Sequence, residues 1–205
     1  MYNFSIPMAL MDYLPVAFFG AAAVLLLRDL YNKMCGGAYA LFAAGTINIF
    51  AAGFLKATWK LLYAANICDF AALNEMFLPV QSIGFLLAGI GIVLMLTKKK
   101  GVLLSAPAVF SGSFVFIMMM VLGLGAICTC LSIVAVNMKK KWVAVLFIAS
   151  FLCSMGMGAM AGMDATLAIT NWIEQGINCI GQGLLLAGTL ILHQAGLKQW
   201  QTALR

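Results

Sequence analysis

Charge is what this chain has least of. Only 9% of its 205 residues are Asp, Glu, Lys or Arg, while 64% are hydrophobic. A soluble domain carries roughly 25% charged residues. Six acids and twelve bases cannot cover a water-facing globule of this size, so lipid has to solvate most of the surface. Histidine is scarcer still, with His193 alone. No H-E-x-x-H, G-x-S-x-G or paired-acid motif occurs, and a nucleophile with its base is hard to find, so the chain is not expected to be an enzyme, an intramembrane lipid enzyme included. The last apolar run, 172–192, has no lysine, which excludes a retinal Schiff base. The opening "MYNFSIPMALMDYLPVAFFG" lacks the basic n-region of a removable signal peptide. The first span is therefore expected to stay as an anchor, with Asp12 before it and Arg28 after it. No large soluble domain is present, so any function has to lie within or between the spans.

The net charge of +6 does not point to nucleic acid. The bases sit in short clusters at the ends of apolar runs, as they do in cytoplasmic loops of membrane proteins. The six cysteines do not form a secreted framework either: Cys128, Cys130, Cys153 and Cys179 lie in apolar runs and read as small buried hydrophobes. No cofactor or metal is expected from them.

The apolar runs are 12–27, 38–58, 76–97, 142–163 and 172–192, and between Lys100 and Lys139 lie 38 residues without a charge. A span needs about 20 residues. As one helix, residues 101–138 would extend about 57 Å against a hydrocarbon core of about 30 Å. As two they would be short, with Gly123-Leu-Gly125 as the only turn signal. A third possibility is an interfacial segment followed by one span from Ser113. Charge decides between them. With seven spans and the N-terminus outside, Arg28, Lys33, Lys98–Lys100, Lys139–Lys141, Lys198 and Arg205 all fall inside, leaving only Lys56 and Lys60 outside. With six, the split is seven to five. The positive-inside rule selects seven.

The expected fold is thus an all-α polytopic transmembrane bundle of seven spans, N-out and C-in, multi-pass in the cell (inner or plasma) membrane. The alternative is six spans in an inverted 3+3 repeat. An internal match supports two units: Glu75 precedes "GFLLAG" at Gly84–Gly89 and Glu174 precedes "GLLLAG" at Gly183–Gly188, at a constant offset of 99. The single membrane domain 1–205 then divides into a three-helix unit 1–100, a linker helix 101–120, and a second unit 121–205 ending in a short interfacial tail. This 3+1+3 layout resembles that of the sugar-transporting SWEET and PQ-loop proteins. Their Pro-Gln dipeptide is missing, the nearest stretch being "LPVQ" at Leu78–Gln81, so the resemblance is one of layout and implies no substrate.

Polar residues within apolar helices mark the candidate site. Glu75 and Glu174 open two spans, Gln81 and Gln182 lie deeper in the same spans, and Asn178 is one turn beyond Glu174. Asn48 lies within the second span. Lys56 and Lys60, four residues apart, share one face of that span beside Trp59. The expected substrate-binding set is Glu75, Glu174, Gln81, Gln182, Asn178, Trp59, Lys56 and Asn48. Structural roles compete: an acid in a first turn suits the helix dipole, and Trp with Lys suits the membrane interface. The set suits a transporter or facilitator of a small polar or amphiphilic solute, bound between two units that rock to alternate access. A membrane receptor, or a subunit of a larger membrane complex, is the alternative, and a channel a lesser one. Met157, Met160 and Met163, near Cys153 and Met155, raise soft-metal transport, since thioethers select Cu(I). Expected partners are the lipid bilayer, a small-molecule solute, and a second copy or a partner membrane subunit.

Overall fold

In hydrocarbon every backbone N–H and C=O must be bonded internally, and apolar runs of this length do so as helices. The computed structural model describes residues 4–97, 113–160 and 168–200. Among them there are helices and no strands, in the order α1 (Ile6–Met11), α2 (Tyr13–Leu30), α3 (Gly36–Ala64), α4 (Ala72–Glu75), α5 (Phe77–Thr97), α6 (Ser113–Asn137), α7 (Lys141–Met160) and α8 (Ala168–Gln194). Six segments are long and apolar enough to cross a membrane, with α1 and α2 together forming the first and α4 and α5 the third.

Local chemistry sets the breaks. Ser5 caps α1 by accepting from the Met8 N–H. Pro15 removes the N–H that would bond the Met11 carbonyl, and the chain turns at Asp12 before α2 begins. The end of α3 closes through Asn66 at φ +54°, with Ile67 N–H bonded to the Leu62 carbonyl. Asn is one of the few side chains that tolerates that region. Gly196, at φ +87°, ends α8 in the same way.

The six long helices form a ring in the order α2, α3, α5, α6, α7, α8 and back to α2. Side-chain pairs fix their directions. Val16 faces Gly53 and Phe50 faces Gly20, so α3 runs against α2; Ala88 faces Gly45 and Phe42 faces Gly91, so α5 runs against α3. Phe151 faces Gly125 and Ser132 Oγ reaches the Ala144 carbonyl, while Cys153 faces Gly181 and Phe147 faces Gly188, so α7 runs against both α6 and α8. Phe18 faces Gly183, and Asp29 bonds His193, so α8 runs with α2. It follows that α5 and α6 run the same way, with Thr97 and Ser113 at opposite ends of the bundle. Arg28, Lys33, Lys139–Lys141, His193 and Lys198 share one end; Lys56 and Lys60 lie toward the other.

The turn expected at Gly123-Leu-Gly125 is not there, because α6 is continuous through both glycines. Gly123 is instead a contact point. A Cβ on it would collide with the Phe85 carbonyl, while one on Gly89 would meet the backbone of Gly123. In lipid, small residues let helix backbones approach this closely. Residues 113–120, read as linker, belong to α6; residues 101–112 of that linker lie outside the described residues, and seven spans are not found among the described ones.

The apolar core fills the ring at the Arg28 end, around Leu30, Phe42, Ile92, Leu131, Phe147 and Leu192. Val24, Ile47, Leu122, Val145, Leu152 and Ile180 point outward and are exposed, an apolar girdle that lipid would cover.

Candidate functional site

Toward the Lys56 end the core gives way to a partly open cavity of about 400 Å³, lined by all six long helices. Helical spacing puts its polar groups on inward stripes. Glu174, Asn178 and Gln182 succeed one another at i, i+4 and i+8 on α8, and Phe77, Gln81 and Phe85 do so on α5. Lys56 and Lys60 come from one face of α3, and Asp12 enters from the turn between α1 and α2.

The charged groups divide into two kinds. Lys60 Nζ lies 2.7 Å from Asp12 Oδ2, with the two side chains only 10% and 15% exposed. That pair is internally neutralised. Lys56 Nζ sits 4.0 Å from the centre of the Phe77 ring, and among the described residues it has no carboxylate within 4.0 Å; neither does Glu174 have a base within that distance. Gln175, 3% exposed, lines the same cavity with both amide atoms unpartnered, and Gln182 Oε1 is likewise without a partner. Buried amides are normally bonded; these atoms have almost no accessible surface, and a turn of either side chain toward the cavity would bring them to its contents.

Of the eight residues expected to form the site, Lys56, Gln81, Glu174, Asn178 and Gln182 line the cavity. The other three do not. Glu75 ends α4 and is exposed. Asn48 is half-buried on α3 away from the lining. Trp59 is buried behind the wall, its indole N–H donating to Asp69 Oδ1 at 2.9 Å and its ring against Phe4 and Tyr63. The polar lining residues outside that set are Asp12, Lys60, Ser154 and Gln175. Asp12 read as the flank of a straight span, and only the Pro15 break signals that it turns inward. Met155 and Met157 are in the cavity wall, while Met163 lies outside the described residues. Among the described residues no three His, Cys, Asp or Glu side chains are grouped to hold a metal ion.

A second polar cluster lies at the opposite end. Asp29, 1% exposed, accepts from His193 Nδ1 at 2.7 Å, and Arg28 Nη2 donates to His193 Nε2 at 2.8 Å. That assignment makes the imidazole a donor at one nitrogen and an acceptor at the other. Lys33 Nζ donates to the Lys198 and Trp200 carbonyls. These bonds tie α2 to α8 and to the segment that follows it. The chain matches no protein-family model, no curated protein and no solved structure.

Proposed function

We propose that the chain is a membrane carrier for a small polar or amphiphilic solute, which loads into the cavity at the Lys56 end. The observation that carries this reading is the cavity itself: apolar walls, a few charged and amide groups, and contributions from every long helix. Such pockets, with few well-placed polar groups, are the usual form of small-molecule sites. The apolar core and the Asp29–His193 tie close the other end, which favours alternating access over a continuous pore.

The chain reads further as two parallel units, α2–α3–α5 and α6–α7–α8, joined by a stretch that returns across the bilayer as a seventh crossing. One observation supports it: α5 and α6 run the same way, so Thr97 and Ser113 lie at opposite ends of the bundle. The matching motifs Gly84–Gly89 and Gly183–Gly188 both lie on the third helix of their unit, but equivalent positions meet different neighbours: Gly84 meets α3 where Gly183 meets α2, and Gly89 meets α6 where Gly188 meets α7. In this topology the basic clusters share the inner side.

Proteoliposome uptake of a panel of labelled amino acids, amines and sugars tests the carrier. We expect saturable uptake of at least one solute, reduced about tenfold or more by Glu174→Gln or Lys56→Met, the cost of one charge-assisted contact. Glu75→Gln should leave it within about twofold, as for an exposed residue outside the site. Flux that never saturates would make the protein a channel, and no flux above empty liposomes would end the proposal.

A further inference from the structure

We infer, on the reading of this cavity as a solute site, that its occupant is a zwitterion with a compact apolar side chain, the chemistry of an aliphatic α-amino acid, its oxyanion on Lys56 and its ammonium on Glu174. The cavity holds four charged groups. Two of them, Asp12 and Lys60, neutralise each other at 2.7 Å. The remaining two, Lys56 and Glu174, line the same space without touching. One free positive and one free negative group on largely apolar walls favour a ligand that carries both signs. A lone cation would satisfy Glu174 and leave Lys56 uncompensated; a lone anion would do the reverse; an uncharged sugar would leave both. Each such mismatch keeps a charge in a poorly solvated place, which is unfavourable.

An independent observation points to the same occupant. Gln175 is almost wholly buried on the cavity wall, yet both its amide NH₂ and its amide oxygen lack partners, as does Gln182 Oε1. Turned toward the cavity, the Gln175 amide next to Glu174 offers a donor and an acceptor, and Gln182 Oε1 about two turns along α8 a further acceptor, matching a ligand that accepts at its carboxylate and donates at its ammonium. The aromatic and aliphatic walls, Phe19, Ile49, Phe85 and Leu124, match an apolar side chain and offer nothing to a sugar's ring of hydroxyls.

The test is calorimetric titration of the full chain in phosphatidylglycerol nanodiscs with three ligands: leucine, 3-methylbutylamine (leucine without the carboxylate) and 4-methylpentanoate (leucine without the ammonium). Leucine should bind roughly tenfold or more tightly than either analogue, the loss expected when one charged contact is removed. Lys56→Met should abolish leucine's advantage over the amine, and Glu174→Gln its advantage over the acid. Leucine no tighter than both analogues, or no binding of any of the three, overturns the inference. The three-ligand comparison on the unsubstituted chain decides even where a variant does not fold. Ethanolamine phospholipid headgroups carry the same two charges, so phosphatidylethanolamine is then added. Displacement of leucine identifies the headgroup as an occupant and no displacement identifies the free solute; both uphold the zwitterion. Leucine binding without uptake in proteoliposomes leaves the zwitterion standing and sinks the carrier. Saturable uptake of another solute with no leucine binding does the opposite.

Discussion

Asp12 and Lys60 illustrate what charge is for in this protein. Their ion pair is short and largely withdrawn from solvent, and breaking such a pair costs more than making it gains, because the surviving charge is stranded. Asp12→Asn or Lys60→Met alone should each destabilise the protein by about 3 kcal/mol. The double variant Asp12→Asn/Lys60→Met should lose clearly less than the sum of the two. Unfolding titrations of the four proteins in one detergent give both quantities, and additive losses would mean the two groups do not interact. The same residues show where sequence reasoning ran out. Lys56, Gln81, Glu174, Asn178 and Gln182 were legible because a polar side chain inside an apolar helix has few reasons to be there. Glu75 looked equivalent to Glu174 at an offset of 99, but equal spacing does not fix where a helix starts. Glu174 lies more than a turn inside α8, whereas Glu75 stands before the turn that opens α5. Trp59 read as an interfacial anchor because its partner Asp69 lies beyond the end of α3, at a distance along the chain that helical periodicity does not connect.

Helix α6 makes the complementary point about glycine. In a soluble chain Gly-x-Gly in the middle of a long run is a reasonable place to turn. In lipid the same residue is where two helices touch, and Gly123 against Phe85 and Gly89 is such a contact. The apolar runs thus revealed nearly all the helices, while the turn placed at Gly123 was misjudged because a turn and a contact surface use the same residue. The distinction is testable. Gly123→Val must push backbone against backbone and should cost about 3 kcal/mol or more, at or beyond the upper range of overpacking. Gly156, with nothing within 4 Å of the place a methyl group would occupy, should tolerate Ala and gain up to about 1 kcal/mol from the lower entropy of the unfolded chain. Thermal unfolding of the two variants side by side checks both signs.

The ring as a whole makes its orientation accessible through its own thiols. Cys35 and Cys68 are exposed and lie at opposite ends of α3. A membrane-impermeant maleimide on intact cells should label Cys68 and reach Cys35 only after permeabilisation. Lys140→Cys, in a chain lacking Cys35, should behave as Cys35 does. Labelling together with Cys68 would reverse α6 and dissolve the parallel pair of units. The tie between α2 and α8 is expected to govern opening at the Arg28 end. His193→Ala should speed amide hydrogen exchange over residues 28–34 and 195–200 by about tenfold, as for a locally released segment, and leave α5 and α6 unchanged. Equal exchange in the variant and the parent would make the tie incidental.

The two junctions between the halves differ in kind. Where α5 meets α6, backbone lies on backbone at Gly89, Gly123 and Phe85, and prising them apart would forfeit that close packing. Where α2 meets α8, the hold at the Arg28 end is a set of hydrogen bonds beside an Arg28 side chain that is already half in solvent, so water can take over each bond as it breaks. For the proposed carrier, a ring built this way has a spine and a fore-edge: we expect it to open like a book, on the α2–α8 side only, with the cavity as its gutter.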